Sequence, residues 1–502
     1  MQKLHLCLLL YLIAQTCTGQ INQWMWVGGD TTAQAEGYDS RDLSYPPKGT
    51  KMNYWQDREG NLWKLGDSFY TFWTFNVNTW RWKRMESNIQ DGPLNRDGAT
   101  RWTDPLGNFW LYGGVVGSSP GGCNDLWKFN GDLWELITGQ PSPLVFDPNY
   151  DQPPVVFSDS LPDAREGAMG WVGQKGQLWL FGGDIYDGGF YHFNDMGNFS
   201  NDLWKFEGEN WDLVKGTLQQ NGPWYGEQGI SSALNIPPSR AFGISWTGAL
   251  GNFWIFGGLG PGFISFNDMW KFDGKQWLWV SGNSGWGNTL PIYGTKGIPA
   301  PDNIPGGRHS ATHWVDHSGD LWIFGGFGYD KDGNTGVLND LWKYDGINWT
   351  WMSGEQYVYA KGDYGQKGIS GKSNTPSARK QAICWTDPTG DLWLYGGKIP
   401  ETMTSDQKMY FNDLWKYNLS WPADVNAEVL LYPNPATDHI TLKWDQAAPR
   451  HLFVYNIRSQ RVIETGLLDW EERIEVRGLS PGLYRFLITE DGRYTAVSVV
   501  IK

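Results

Sequence analysis

The sequence predicts an all-β chain: six four-stranded antiparallel sheets packed as the blades of a β-propeller, followed by a small β-sandwich. Three observations carry this expectation. A pair of tryptophans eight residues apart recurs six times. A fixed vocabulary of glycine, asparagine, aspartate and aromatic residues follows each pair. The 502 residues include 33 Trp, 23 Tyr, 23 Phe and 65 Gly, so the core must be largely aromatic and the turns glycine-rich. Such a composition excludes disorder for the bulk of the chain.

Charge and termini bound location before any site is considered. The chain has 40 Lys+Arg against 54 Asp+Glu, a net charge of −14. Phosphate backbones need clustered positive charge, so no nucleic-acid partner is expected. Residues 1–19 read as a signal peptide: Lys3 is followed by an apolar run over 4–14, then by the small residues Thr16, Thr18 and Gly19. That run is too short to span a bilayer and no other stretch approaches the length, so no transmembrane segment is expected in the mature chain. Cys17 suggests lipid attachment, but Thr16 stands where such signals carry Gly or Ala. Cleavage near Gly19 leaves Cys123 and Cys384, far apart in sequence, and no disulfide framework is indicated.

The repeat occupies residues 20–425. From Arg240 the chain reads RAFGISWTGALGNFWIFGG, and equivalent copies begin at Arg96, Arg165, Arg308 and Arg379. The first tryptophans are Trp102, Trp171, Trp246, Trp314 and Trp385, and the second are Trp110, Trp179, Trp254, Trp322 and Trp393. After Gly-Gly and a variable loop comes Asn-Asp-Leu/Met-Trp-Lys-Phe/Tyr, which places Asp125, Asp202, Asp268, Asp340 and Asp413. A last Trp ends each unit, at 134, 211, 277, 349 and 421. A degenerate copy comes first, with Trp55, Trp63 and Trp73, and Trp80 as its last Trp. Spacing kept through six copies is the mark of a repeat architecture. Each unit reads as four short strands, with Asn130-Gly131, Glu207-Gly208, Asp273-Gly274 and Asp345-Gly346 turning the third strand into the fourth. A buried Trp contributes at most roughly 4 to 6 kcal/mol of transfer free energy, so these rings are first of all packing between blades.

The Gly-Gly, the later aromatic and the final Trp, recurring in order over about residues 22–421, resemble the kelch repeat. The resemblance implies a β-propeller; a degenerate seventh blade is the alternative to six. Closure is legible at the ends. Fourth strands contain Trp277-Leu-Trp-Val-Ser-Gly and Trp349-Thr-Trp-Met-Ser-Gly, and Trp24-Met-Trp-Val-Gly-Gly repeats that phrase near the N-terminus. Residues 22–28 are therefore expected to supply the outer strand of the last blade, leaving no open edge.

In an up-down meander, parity puts the strand 1–2 and 3–4 turns on one face and all other connections on the opposite face. The first set is tight; the second includes the long loops over 140–164, 184–200, 217–239, 283–307 and 355–378, which makes their face the place to seek function. Tyr225, Tyr293 and Tyr364 each open a Tyr-Gly-x-x-Gly-Ile segment fifteen residues before the repeat Arg; Tyr150 shares the spacing and Trp224 adds an aromatic. These rings read either as a stacking rim for a glycan or protein, or as residues that fold each loop onto its own blade. Arg96, Arg165, Arg240, Arg308 and Arg379 recur with Asp125, Asp202, Asp268, Asp340 and Asp413, and both are missing from the first unit, where Gly49 and Thr71 align. Joint absence points to partnership, as structural ion pairs near the channel mouth.

No catalytic residue, metal site or cofactor is expected. His309, His313 and His317 are spaced by four, but on a strand and turn, and the unit that begins at Arg165 holds Glu166, Gly170 and Gln174 there. Asp330-Lys-Asp-Gly-Asn334 resembles part of a calcium loop with its Gly misplaced. Galactose oxidase is a kelch-type propeller enzyme, so a galactose oxidase-like carbohydrate-active enzyme is the rival reading. That resemblance implies two His and two Tyr around copper, one Tyr joined to a Cys.

The repeat vocabulary ends near Ala427, and residues 426–502 read as short strands of a small sandwich. Leu431-Tyr-Pro-Asn-Pro-Ala-Thr-Asp438 and Leu479-Ser-Pro-Gly-Leu-Tyr484 resemble the type A C-terminal sorting domain of the type IX secretion system. The resemblance implies type IX secretion machinery as a partner, and a secreted or outer-membrane surface location. The expected function is a secreted binding or scaffold propeller that engages an unknown glycan or protein through its long-loop face.

Overall fold

The computed structural model describes residues 22–35, 46, 53–66, 71–86, 92–116, 122–140, 160–186, 197–216, 224–248, 251–284, 289–316, 318–400, 409–419, 430–432, 436–443, 450–456, 461–467, 471–490 and 493–501. The expected signal peptide, Gly49, Tyr150, His317 and Trp421 lie outside this set.

Among the described residues six antiparallel blades form, the first five as sequential meanders. Blade one is Tyr54–Gln56, Leu62–Leu65, Thr71–Asn76 and Arg81–Glu86; blade two is Thr100–Thr103, Phe109–Tyr112, Leu126–Phe129 and Trp134–Thr138. Blade three is Met169–Val172, Leu178–Ile185, Phe199–Glu207 and Asn210–Lys215; blade four is Ile244–Thr247, Phe253–Gly260, Ile264–Phe272 and Trp277–Ser281. Blade five is Thr312–Val315, Leu321–Phe324, Leu341–Tyr344 and Trp349–Ser353. Blade six takes Ile383–Thr386, Leu392–Tyr395 and Leu414–Asn418 from one end of the repeat and Gln23–Gly28 from the other.

The eight-residue spacing is a hairpin register. First and second tryptophans sit directly across from each other in every blade: Trp55 and Trp63, Trp102 and Trp110, Trp171 and Trp179, Trp246 and Trp254, Trp314 and Trp322, Trp385 and Trp393. The first Trp also ties blades together. Its indole N–H donates to the carbonyl of the second Trp one blade on, from Trp55 to Trp110 at 3.0 Å, Trp102 to Trp179 at 3.2 Å and Trp314 to Trp393 at 3.0 Å. In blades two, four and five the last Trp of the unit opens the fourth strand, as Trp134 across from Phe129 and Trp277 across from Phe272. In blade six Trp24 takes that place across from Tyr417 and is fully buried. Blade one departs from its expected register: Trp82, not Trp80, stands across from Phe75. Its turn is two residues longer, and Trp80 lies in that turn at φ +56°.

Gly-Gly is required by the approach of the next blade. The first glycines, Gly113, Gly182, Gly257 and Gly325, have φ between +62° and +67°. A Cβ on any of them would lie 2.5 to 2.7 Å from the carbonyl oxygen of the following blade's Arg. Only glycine combines this φ with that contact.

The C-terminal segment forms two sheets. Leu430–Tyr432, His439–Lys443 and Glu471–Glu475 make one; Arg461–Leu467, Arg450–Asn456, Gly482–Glu490 and Arg493–Ile501 make the other. One apolar core lies between them, including Ile440, Leu442, Leu452, Val454, Phe486 and Val499. The strand Arg461–Leu467 was not legible as one, because Glu464, Thr465 and Gly466 interrupt its apolar run. No helix among the described residues is long and apolar enough to cross a membrane.

Candidate functional site

The recurrent charged residues meet inside the blades. Arg96 pairs with Asp125, Arg165 with Asp202 at 2.6 Å, Arg240 with Asp268 at 2.6 Å, Arg308 with Asp340 at 2.7 Å and Arg379 with Asp413 at 2.5 Å. All ten side chains are sealed from solvent. Each contact is bidentate: in blade five Arg308 Nη2 also reaches Asp340 Oδ2 at 2.8 Å. The remaining guanidinium donors are used as well. Arg308 Nη1 donates to the Gly325 carbonyl at 3.1 Å and Nε to the Gly306 carbonyl at 3.1 Å. The carboxylate accepts further bonds, Asp340 Oδ2 from the Trp342 indole at 2.7 Å. A fully bonded buried pair holds its blade in one arrangement, and removing one member leaves an unpaired charge behind.

Three of the candidate ligand tyrosines belong to this same network, and this corrects the stacking-rim expectation. Tyr225 donates its hydroxyl to Asp268 at 2.7 Å, Tyr293 to Asp340 at 2.9 Å and Tyr364 to Asp413 at 2.6 Å. Their rings pack on Trp270 and Trp279, on Trp342 and Trp351, and on Trp415 and Trp26. Ring faces and hydroxyls are thus committed within the fold. The loop folds against the blade whose Arg follows. Gly229, Gly297 and Gly368 donate backbone N–H to the carbonyls of Trp279, Trp351 and Trp26 at 2.9, 2.7 and 2.8 Å. Asn235, Asn303 and Asn374 reach the carbonyls of Trp277, Trp349 and Trp24 at 3.0, 2.9 and 3.2 Å. Each loop therefore clamps an outer strand and covers its edge. The N-terminal strand is clamped as the other two are. Of the proposed ligand residues that are described, only Trp224 presents its ring to solvent, at 60% exposure.

Two rings of residues line the channel, and neither was singled out from sequence. The first lies at its long-loop end, two positions after each repeat Arg: Gly98, Gly167, Phe242, Ser310 and Gln381. All five have φ between +54° and +67°. Four of the backbone N–H groups donate to the carbonyl one blade back, from Gly167 to Gly98 at 2.7 Å through to Gln381 to Ser310 at 2.9 Å. Left-handed backbone costs a non-glycine residue about 1 kcal/mol, and here it forms hydrogen bonds between blades. Beside this ring, burial pushes Glu166 up to about 7, against the opposing bond from the Tyr186 hydroxyl at 2.8 Å. Burial and the nearby Lys380 charge push His309 down to about 3; it contacts Ser310 Oγ at 3.0 Å.

The second ring precedes each first Trp: Tyr54, Arg101, Gly170, Ser245, His313 and Cys384. The strand alternates, so with Trp turned between blades its neighbours turn to the channel. Links run around the circle. Ser245 Oγ donates to the Gly170 carbonyl at 3.2 Å, the His313 ring bonds the Ser245 backbone, and Cys384 Sγ donates to the His313 carbonyl at 3.0 Å. Tyr54 Oη lies 3.3 Å from Cys384 Sγ, and the Arg101 guanidinium sits 3.9 Å over the Tyr54 ring. Burial, and secondarily the Arg101 charge, hold His313 down to about 4, so its imidazole is neutral at physiological pH. The signal for this ring was present as a position of changing identity beside a Trp that never changes.

The copper set implied by the galactose oxidase resemblance does not fit these residues. Cys384 meets a tyrosine, but through its hydroxyl, and the thiol is bonded to a carbonyl. His309 adjoins Ser310 of the first ring, whereas His313 belongs to the second. Among the described residues no three His, Cys, Asp or Glu side chains converge. The calcium-like loop is a hairpin turn: Asp330 Oδ1 accepts the backbone N–H of Asp332 and Asn334, both at 2.9 Å, between Phe327–Tyr329 and Thr335–Val337.

No curated protein matches the chain. Among solved structures it is similar to a fungal alcohol oxidase of the AA5 family in complex with copper, at 11% identity and TM-score 0.46, covering 96% of this chain and 99% of that one. It is also similar to YjhT, at 14% identity and TM-score 0.46, covering 74% and 96%. Residues 430–502 match the secretion system C-terminal sorting domain. The C-terminal module is thus a sorting domain of the type IX kind, and the protein is secreted or attached at the outer-membrane surface.

Proposed function

We propose that the chain is a binding propeller without chemistry of its own, which engages a protein partner through the loops entering blades four, five and six. One observation supports this most. Ile230, Ile298 and Ile369 end the three clamp segments and are 54%, 55% and 55% exposed, on loops pinned beneath them. Scattered exposed apolar residues are ordinary. The same residue at the same depth on three adjacent rigid loops is a repeated contact surface, and preformed loops lose little entropy on binding. Trp224 and Ile292, each preceding a clamp tyrosine, extend it. Isoleucine has no flat face to stack on a sugar ring, which favours protein over glycan.

The test places a photo-crosslinking amino acid at position 298 of the secreted chain, with a control at Ile347 on the tight-turn face. A discrete protein adduct from 298 and none from 347 is the expected result. Equal labelling at both positions removes these loops as the site. Binding on a glycan array, lost in Trp224→Ala, would replace the protein partner with a sugar. The second reading, a galactose oxidase-like carbohydrate-active enzyme, has the Tyr54–Cys384 contact in its favour. Copper-dependent oxidase turnover by the purified chain would establish it in place of the binding reading.

A further inference from the structure

Blades four, five and six each have a fifth-strand place beside the outer strand, and the chain fills it from its own loops. Ser232 bridges to Trp277 in blade four, Ala300 bridges to Trp349 in blade five, and Ser370 and Gly371 pair with Met25 and Trp24 in blade six. Blade one has an equivalent outer strand, Arg81–Glu86, but among the described residues no strand or bridge pairs its outer edge. In an antiparallel strand at the end of a sheet every second residue has its N–H and C=O pointing outward, unpaired. Exposure follows the same division. Trp24 and Met25 in blade six and Thr350 and Trp351 in blade five are buried. In blade one Arg81, Lys83 and Arg84 are exposed, and Met85 and Trp80 beside them are 37% and 43% exposed.

We infer that this edge receives, as a fifth strand, an extended segment of another protein with carboxylates at alternate positions. Charge selects the segment. Three of the four residues at 81–84 are cationic, in a chain of net charge −14. Arg84 has a partner within the chain, and among the described residues no ion pair holds Arg81 or Lys83. Trp82 packs on Phe75 and Tyr395. Alternation therefore turns Arg81, Lys83 and Met85 together to the opposite side of the sheet. Two residues span about 7 Å of any strand, so the side chains of an added strand meet these three in the same step. An antiparallel addition reads apolar, acidic, acidic at every second position, opposite Met85, Lys83 and Arg81. Cations at an edge keep out neutral and basic strands, which would leave them unpaired, and admit an acidic one. The surface lies on a different blade from the loops with the exposed isoleucines and does not depend on them.

The test is fluorescence anisotropy of the full chain with a dye-labelled synthetic peptide that carries valine, glutamate and glutamate at alternate positions and threonine between them. Saturable one-to-one binding with a Kd below about 1 mM is expected. Arg81→Glu combined with Lys83→Glu should weaken it at least tenfold, and this chain should bind instead the same peptide with lysine for glutamate. Both positions are exposed, so folding is expected to survive. Arg81→Gln combined with Lys83→Gln should also weaken binding at least tenfold, and it decides the matter if the charge-reversed chain does not fold. Methylation of the peptide's backbone nitrogens should abolish binding, because it removes the N–H groups that add a strand. The proposal is overturned if the glutamate peptide does not bind at up to about 1 mM, if neither double variant weakens its binding, or if the methylated peptide binds as well as the parent. Binding of polygalacturonate without binding of the peptide would overturn it too, and put an acidic polysaccharide in the strand's place.

Discussion

Blade one has Thr71 where each of the other five has the buried aspartate, and side-chain amides hold its junction with blade two. Asn53, almost fully buried, donates to the Arg96 carbonyl at 2.9 Å and to Asn95 Oδ1 at 3.2 Å, and Asn95 donates to the Gly66 carbonyl at 2.8 Å. In blades two, three and five the second glycine of Gly-Gly donates instead to the next Arg carbonyl, as Gly114 does to Arg165 at 2.8 Å. The junction between blades is the constant requirement: a side-chain amide meets it in blade one and a backbone N–H in blades two, three and five. What the ion pair adds is attachment: in blades four to six its carboxylate also holds Tyr225, Tyr293 or Tyr364, and through them the clamp loops.

This difference predicts a graded set of effects. The largest is Arg240→Met, which leaves Asp268 buried and unpaired. It should destabilise the propeller by about 3–5 kcal/mol, read as a fall in the urea midpoint. Asn53→Ala in blade one leaves a buried carbonyl short of a donor and should cost about 1–3 kcal/mol. An equal loss in the two variants would erase the distinction between the blades. Next comes Tyr364→Phe, which keeps the ring on Trp415 and Trp26 and removes only the bond to Asp413. A loss of about 1 kcal/mol is expected, with faster hydrogen exchange confined to the clamp and the strand Gln23–Gly28.

Much of this architecture was legible before the fold was seen, for reasons that particular residues show. Trp102 and Trp110 stand across a hairpin, so a covalent spacing reports a spatial register. Arg and Asp were legible as partners because both vanish together from one unit. The closing strand was legible because Trp24-Met-Trp repeats a phrase from other blades. Loop residues were not readable in this way. Tyr293 at a loop position looks the same in sequence whether it faces a ligand or Asp340, since the partner lies 47 residues on. Trp80 was misassigned because a two-residue insertion in a turn moves the register without altering composition. The channel rings were hidden by the habit of attending to what recurs, since what faces the channel is what varies.

The smallest expected effect is a pH dependence at blade three, where Glu166 sits beside the mouth ring near Asp184 and Asp97. Glu166 is raised from the usual carboxylate range to about 7 by burial. Between those values the folded chain holds a proton that the unfolded chain has released. The stability this group contributes is therefore present at low pH and lost as pH rises through about 7. Glu166→Gln keeps an acceptor for Tyr186 and removes the titration. Its thermal midpoint should exceed that of the unmodified chain by about 2 °C at pH 8, with little difference at pH 5.

The account rests on the recurring charged residues being frame, with binding left to the exposed loop residues. A double-mutant cycle on Arg308 and Asp340 tests this most directly, followed by urea unfolding of the secreted chain. The account predicts that Arg308→Met and Asp340→Leu each destabilise by about 3–5 kcal/mol, and that the double variant recovers most of the loss. Photo-adduct formation at position 298 should be retained in the double variant wherever it is folded. Single variants with unaltered unfolding midpoints and no adduct at 298 would contradict it, because the pair would then serve the ligand and not the blade.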